Sequence, residues 1–333
     1  MNGIEVESLC KKYEFSLAGQ GQKSVLKGLL LREKRTKTAV DAVSFSIRPG
    51  EMVGLIGANG SGKTTIMKLL TGILYPTSGR VLVDGHIPSQ REEAFQKEIS
   101  IVLGQKTQLW WDLPAVESLK LNQIIYDVDD VTYQNLVKQM SELLNVGHLM
   151  NIPVRRLSLG ERMKFELMAS MIHRPSFLFL DEPTIGLDIL AQKDFHSFVL
   201  EYNRKFGSTV ILTSHYMHDI EKLCGRSLVL KEGRLIYDGP TQGICEISPD
   251  CVLHFQFKDP VNPEPFSSYG KVAKLGDRKI SITVHKDRAK QVMREILEKN
   301  DPVDLSLQAA TLEDCLEEYL RTDRSENEVS GNL

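Results

Sequence analysis

Leu55-Ile56-Gly57-Ala58-Asn59-Gly60-Ser61-Gly62-Lys63-Thr64-Thr65 has the form of a loop built to hold an anion. Val53, Leu55 and Ile56 read as the end of a buried strand. Gly57 to Thr64 then matches GxxxxGK(S/T), the phosphate-binding loop. Glycines at Gly57, Gly60 and Gly62 let the backbone wrap a phosphate without Cβ clashes. Successive N–H groups turn inward as an anion nest. Ile66-Met67-Lys68-Leu69-Leu70 continues as a helix whose N-terminal dipole also favours negative charge. In such a loop Lys63 reaches the β- and γ-phosphates of a nucleotide, and the Thr64 hydroxyl binds Mg²⁺.

Composition bounds what surrounds this loop. At 333 residues, one or two domains are expected, and 41% hydrophobic with 26% charged residues is ordinary for a globular chain. A net charge of −3 argues against a general nucleic-acid binder. No apolar run approaches the roughly 18 residues of a membrane helix. Met1 to Glu7 carries acids where a secretory leader has a basic and then an apolar segment, so no signal peptide is expected. Cys10, Cys224, Cys245, Cys251 and Cys315 lack paired metal-ligand spacing and read as free or buried thiols.

Outward from the loop, Ile4 and Val6 alternate with acids and suggest an edge strand. Residues 14–38 read as a basic insertion, with six basic side chains (Lys23, Lys27, Arg32, Lys34, Arg35, Lys37) against Glu14 and Glu33. Val25, Leu26, Leu29 and Leu30 would form one apolar stripe of a helix over 24–34. That stripe can pack on the protein, or the basic helix can face a membrane or a partner. Ala39 to Ile47 returns to strand alternation, with Val43, Phe45 and Ile47 on one face. Arg80–Val83, Ile99–Leu103, Phe177–Leu180 and Val210–Leu212 are further short strands, separated by helical stretches at 115–150 and after Leu159. Apolar runs between helices indicate a mainly parallel sheet covered on both faces. After about Thr241, Val252–Phe257 and Ile280–Val284 alternate like antiparallel strands, and Ala289–Leu297 is an amphipathic helix. Thr311-Leu312-Glu313-Asp314 resembles a capped helix start. Residues 1–244 therefore read as a nucleotide-binding domain, 245–321 as a small α+β domain, and 322–333 as a disordered tail.

Four apolar residues then Asp181 place a carboxylate at a strand's C-terminal end, where ligands of doubly wound sheets bind. Asp181 suits Mg²⁺, and Glu182 suits a general base for an attacking water. Gln105 and His215 also fall just after strands and can sense a γ-phosphate.

The ordered set Gly57–Thr64, Gln105, Leu157–Glu161, Asp181–Glu182, Gly186-Leu187-Asp188 and His215 resembles the ATP-binding subunit of ABC transporters. The resemblance spans about residues 4–240 and implies an α/β P-loop ATPase core. It adds an antiparallel β subdomain and a helical subdomain bearing the signature. It implies ATP and Mg²⁺ as cofactors and a head-to-tail dimer, either of two copies or with a related ATPase, with two ATP molecules between the chains. By residue, it assigns catalysis to Glu182, His215, Lys63 and Gln105. It assigns nucleotide contacts to Tyr13, Gly57, Asn59, Gly60, Ser61, Gly62, Lys63, Thr64, Thr65, Ser158, Gly160 and Asp188. Metal contacts fall to Thr64, Gln105 and Asp181. Tyr13 would stack on adenine, with Phe15 close by as the other aromatic. At the signature, Leu159 stands in place of the usual glycine and Glu161 in place of glutamine, while Ser158 and Gly160 remain.

Gly104 to Pro114, with Trp110 and Trp111, resembles a bacterial subgroup serving export-type permeases, as does the late Leu312-Glu313-Asp314. The tryptophans can anchor a partner or fill the core. The family implies a peripheral subunit at the cytoplasmic membrane face, powering a separate integral-membrane permease, with no nucleic-acid partner. The alternatives are a soluble mechanochemical ABC ATPase acting on ribosome or DNA, and a regulatory nucleotide-binding module. The single phosphate loop and the lack of sustained heptads weigh against the first, and Glu182 with His215 weighs against the second.

Overall fold

The computed structural model describes residues 2–16, 34–104, 106–247, 250–309 and 311–316. Gln105, the stripe at 25–30 and the tail at 322–333 lie outside the described residues. The chain divides into two compact units, Met1–Thr241 and Gln242–Leu333.

In the first unit, β1 (Ile4–Ser16), β2 (Lys34–Ile47) and β4 (Ser78–Val83) form an antiparallel sheet in the order β2-β1-β4. The alternation at Ile4 and Val6 suggested an edge strand, yet β1 is the central one, because both neighbours bury the same apolar face. The basic stretch also begins later than its composition implied. Glu14 pairs with Thr36 and Phe15 with Arg35, so Glu14–Ser16 and Lys34–Thr38 are strand rather than insertion. Cross-strand pairing extends the ladder there although the residues are polar.

The larger sheet is built from apolar runs. It holds β3 (Met52–Gly57), β5 (Ile99–Leu103), β6 (Phe177–Asp181), β7 (Thr209–Thr213), β8 (Arg226–Lys231) and β9 (Arg234–Pro240). Their order is β5-β6-β7-β3-β8-β9, parallel except for the β8–β9 hairpin. Every residue of β6 and β7 is buried, as expected for strands covered on both faces. Helix α1 (Lys63–Leu70) springs from β3, and α2 (Glu93–Glu98) precedes β5. Helices α3 (Ala115–Ile125), α4 (Asp130–Leu143) and α5 (Leu159–Met171) make up the helical region. Then come α6 (Ile189–Phe206) and α7 (Met217–Leu223). The first unit thus has the parallel core, antiparallel sheet and helical region that the resemblance implies.

Because β3 lies between β7 and β8, the C-terminal ends of β3, β6 and β7 come side by side. Gly57, Asp181 and Thr213 end those strands. That is where an open α/β sheet binds its ligand.

The second unit carries β10 (Asp250–Gln256), β11 (Lys271–Gly276), β12 (Lys279–His285) and β13 (Asp304–Ala309) in the antiparallel order β11-β12-β10-β13. Helix α8 (Lys286–Asn300) buries Ala289, Val292 and Ile296 against Leu253, Phe255 and Ile282. Thr311 donates to Asp314 through both its backbone N–H (3.0 Å) and its hydroxyl (2.6 Å), the capped start that the sequence suggests.

Phe179 is fully buried in the centre of β6, within the core of the first unit. Phe179→Ala should therefore cost about 3–5 kcal/mol of unfolding free energy, read from urea denaturation of that unit.

Candidate functional site

The phosphate loop follows β3. Gly62 adopts a left-handed φ of 111°, and a Cβ there would lie 2.5 Å from the Ala39 carbonyl oxygen, so only glycine fits. Lys63 donates from Nζ to the Gly57 carbonyl at 2.7 Å and the Ala58 carbonyl at 3.2 Å. Burial pushes its pKa down, while the nearby Glu182 and Asp181 carboxylates work the other way. The Ser61 hydroxyl is buried with no hydrogen-bond partner among the described residues.

Tyr13, Lys37, Ala39, Asn59, Gly60, Gly62, Lys63, Thr64, Thr65 and Glu182 line one cleft of about 230 Å³. Phe15 is not among these lining residues. The Lys11 ammonium sits 5.4 Å from the centre of the Tyr13 ring and donates to the Tyr75 carbonyl at 2.7 Å. The cleft suits a nucleotide on its own terms: a glycine cradle, a buried lysine, an unpartnered serine hydroxyl and an aromatic at one end.

At the end of β6, Asp181 Oδ1 accepts from the Thr213 hydroxyl at 2.6 Å and lies 3.4 Å from the Thr64 hydroxyl. Glu182 turns sharply, with φ 55°. Its N–H is shared between the Thr213 carbonyl and hydroxyl oxygens, both at 3.0 Å. Its Oε1 lies 2.8 Å from His215 Nε2. A hard-cation site formed from the Thr64 hydroxyl and the Asp181 carboxylate is consistent with oxygen-ligand chemistry.

The signature opens α5. Ser158 is its N-cap, and its hydroxyl accepts from the Glu161 N–H at 3.3 Å. The Glu161 carboxylate in turn accepts from the Ser158 N–H at 2.8 Å and its hydroxyl at 2.9 Å. Glutamate in place of glutamine thus completes a capping box. The Ser158 bonds hold the Glu161 carboxyl below its usual pKa. Leu159 stands against Gly186, where a Cβ would come within 2.8 Å of its methyl. Asp188 caps α6, accepting from the Ala191 N–H at 2.8 Å. Ser158, Gly160 and Asp188 are not among the residues lining the phosphate-loop cleft of their own chain.

Two buried carboxylates missed by motif reading brace this arrangement. Asp219, on α7, accepts from His196 Nε2 at 2.7 Å, the Ser214 hydroxyl at 2.6 Å and the Thr184 hydroxyl at 2.5 Å. Burial disfavours its charge, but the His196, Ser214 and Thr184 bonds outweigh that and hold its pKa below the ordinary value. Glu166, on α5, binds the Thr107 hydroxyl and accepts from the Gln108 N–H at 3.2 Å. Burial pushes its carboxyl up. Beyond Gln108, Trp110 and Trp111 are 56% and 48% exposed, which excludes the core role left open for them. The Arg162 guanidinium lies 5.6 Å from the Trp111 ring.

Residues 40–185 match the family model described as ABC transporter, and residues 250–308 match the one described as EvrA-like ABC transporter, C-terminal domain. The chain is 30% identical to the ABC transporter ATP-binding protein NatA of Bacillus subtilis (strain 168), over 68% of this chain and 91% of that one. It is 34% identical to the Nod factor export ATP-binding protein I of Burkholderia pseudomallei (strain 1710b), over 69% and 76% respectively. It is 31% identical to the methionine import ATP-binding protein MetN of Latilactobacillus sakei subsp. sakei (strain 23K), over 65% and 63%. Among solved structures, one described as an ATP-binding subunit of an ABC transporter shares the fold. Its TM-score is 0.60 at 22% identity, covering 73% of this chain and 92% of that one.

Asp219→Asn should destabilise the protein by about 1–3 kcal/mol at neutral pH, because His196, Thr184 and Ser214 lose their shared acceptor. A carboxyl with a depressed folded-state pKa stabilises above the unfolded value and loses that contribution as pH falls through the folded one. The gap between parent and variant in urea denaturation should therefore shrink below about pH 4.

Proposed function

This chain belongs to the ABC transporter ATP-binding proteins, and on that premise we propose that it is the ATP-hydrolysing subunit of an exporter. It would act on a separate membrane permease from the cytoplasmic face. The observation that carries the reading is the Glu182–His215 pair, 2.8 Å apart, with Glu182 lining the same cleft as the phosphate loop.

ATP enters with its base against Tyr13 and its β- and γ-phosphates on the N–H groups of 57–64 and the Lys63 ammonium. Thr64 and Asp181 would hold Mg²⁺, with Gln105 assigned to the same ion by resemblance; bound there, it would supply charge neutralisation to the phosphates. Glu182 takes the proton of the attacking water as general base. His215 orients that carboxylate and can donate to the γ-phosphate.

Ser158, Gly160 and Asp188 act on the ATP of a second copy. Their surroundings support this. Leu159 is 36% exposed and Ile189 and Leu190 are each 72% exposed, an apolar surface beside a helix N-terminus with spare donors. A homodimer that brings this surface over the partner's cleft completes both sites. Export, rather than import, is supported by the exposed Trp110–Trp111 loop that resembles the export subgroup. No helix among the described residues is long and apolar enough to cross a membrane, which is consistent with a separate permease.

Glu182→Gln should keep ATP affinity and lose about 10²–10⁴-fold in hydrolysis rate, and it should dimerise in sedimentation only with ATP–Mg²⁺. Lys63→Ala should instead weaken nucleotide binding itself. Full-rate hydrolysis by Glu182→Gln would remove the assignment.

Replacing Trp110 and Trp111 with alanine should leave thermal stability and isolated ATPase rate near those of the parent. It should selectively reduce co-purification of permease from detergent-solubilised membranes. Unchanged co-purification would mean the pair is not the anchor.

A further inference from the structure

Strand β2 carries a lysine into the cleft that motif matching does not use. Lys37 is paired directly with Tyr13 in the β1–β2 ladder, and both line the cleft. Ala39 lies two residues further along β2 and also lines it, as the two-residue period of a strand requires. The Ala39 carbonyl rests against Gly62 of the phosphate loop, 2.5 Å from where a Cβ would stand. One face of β2 therefore runs from the aromatic end of the cleft to its phosphate end. Lys37 begins at the aromatic end, and its four-carbon stem lets the ammonium swing toward the phosphate loop while staying hydrated.

Between a base on Tyr13 and terminal phosphates on Lys63 lies the α-phosphate. Lys63 serves the β- and γ-phosphates at the far end of the loop, whereas the α-phosphate is the one next to the nucleoside, so with the base on Tyr13 it is the phosphate nearest Lys37. We propose that Lys37 is a nucleotide-contacting residue that holds the α-phosphate of the bound nucleotide. This rests on the cleft taking ATP with its base at Tyr13. The contact is a point charge at an exposed position, so it weakens with salt and an arginine can replace it.

The test uses the full chain carrying Glu182→Gln, which removes turnover, as the parent. Dissociation constants are measured for ATP, ADP, AMP and adenosine, with Lys37→Ala and Lys37→Arg added to it. Lys37→Ala should weaken ATP, ADP and AMP alike by about three- to tenfold, more at low ionic strength, and leave adenosine unchanged. Lys37→Arg should recover most of the loss. Thermal melting of each variant checks that β2 still folds. Unchanged affinities in a folded Lys37→Ala chain overturn the inference. So does a loss confined to ATP and ADP, which would put the charge on the outer phosphates. So does an equal loss for adenosine, which would make Lys37 a packing residue for the nucleoside. A parent that binds no ATP overturns the nucleotide reading of the cleft together with this inference, while a binding parent with any of the other outcomes overturns this inference alone.

Discussion

The left-handed backbone of Glu182 is the constraint around which the site is arranged. At φ 55° this conformation costs a residue with a Cβ about 1–3 kcal/mol. Its neighbours enforce it. Thr213, at the end of β7, accepts the Glu182 N–H with two oxygens and donates its hydroxyl to Asp181. Gly104, at the end of β5, presses on the Glu182 carbonyl so closely that a Cβ would come within 2.0 Å. Three strand ends thus fix the turn that aims the carboxylate at the phosphate loop. At that turn the proposed metal ligand and the proposed base share a partner, Thr213.

Behind that turn stand two carboxylates of opposite character. Asp219 gathers Thr184, which follows the turn, and Ser214, which precedes His215, onto one buried anion. It keeps the two sides of the Glu182–His215 pair in register without touching either. Glu166 does a similar job further out. It fastens Thr107 and Gln108 to α5, the helix whose first turn bears Ser158. The signature and the tryptophan loop are therefore built on the same helix rather than on the central sheet. Leu159 and Glu161, which depart from the family pattern, have local reasons: one packs over Gly186 and the other completes the cap.

Much of this was legible from local pattern. The phosphate loop, the apolar runs ending in Asp181 and in Ser214-His215, the helix after Leu159 and the capped start at Thr311 each depend on a few adjacent residues. Pairing is non-local, and the misreadings cluster there. Nothing near Ile4 says that two partners flank β1, and nothing in Lys34–Thr38 says that Glu14 and Phe15 lie opposite. Lys37 looked like one more charge in a basic stretch until the ladder set it across from Tyr13. β8, β9, β11 and β13 were not read: β11 and β13 are largely exposed and β9 is only half-buried, while β8 is a short buried run between helix and hairpin that carries no motif. Asp219 and Glu166 gave no signal, since a buried acid is recognisable only with its distant donors in view. The choice of Tyr13 over Phe15 rested on resemblance alone, and of the two only Tyr13 lines the cleft.

The chain has two tryptophans, and they are neighbours. Both stand in the loop fastened by Glu166, half in solvent, with a guanidinium beside Trp111. Emission excited at the red edge of indole absorption therefore comes from that one surface. The protein carries a native optical label on the face it would offer a permease, attached to the helix that would reach across to a second nucleotide. Solvent relaxation around those two rings can be followed without adding a dye or changing a residue.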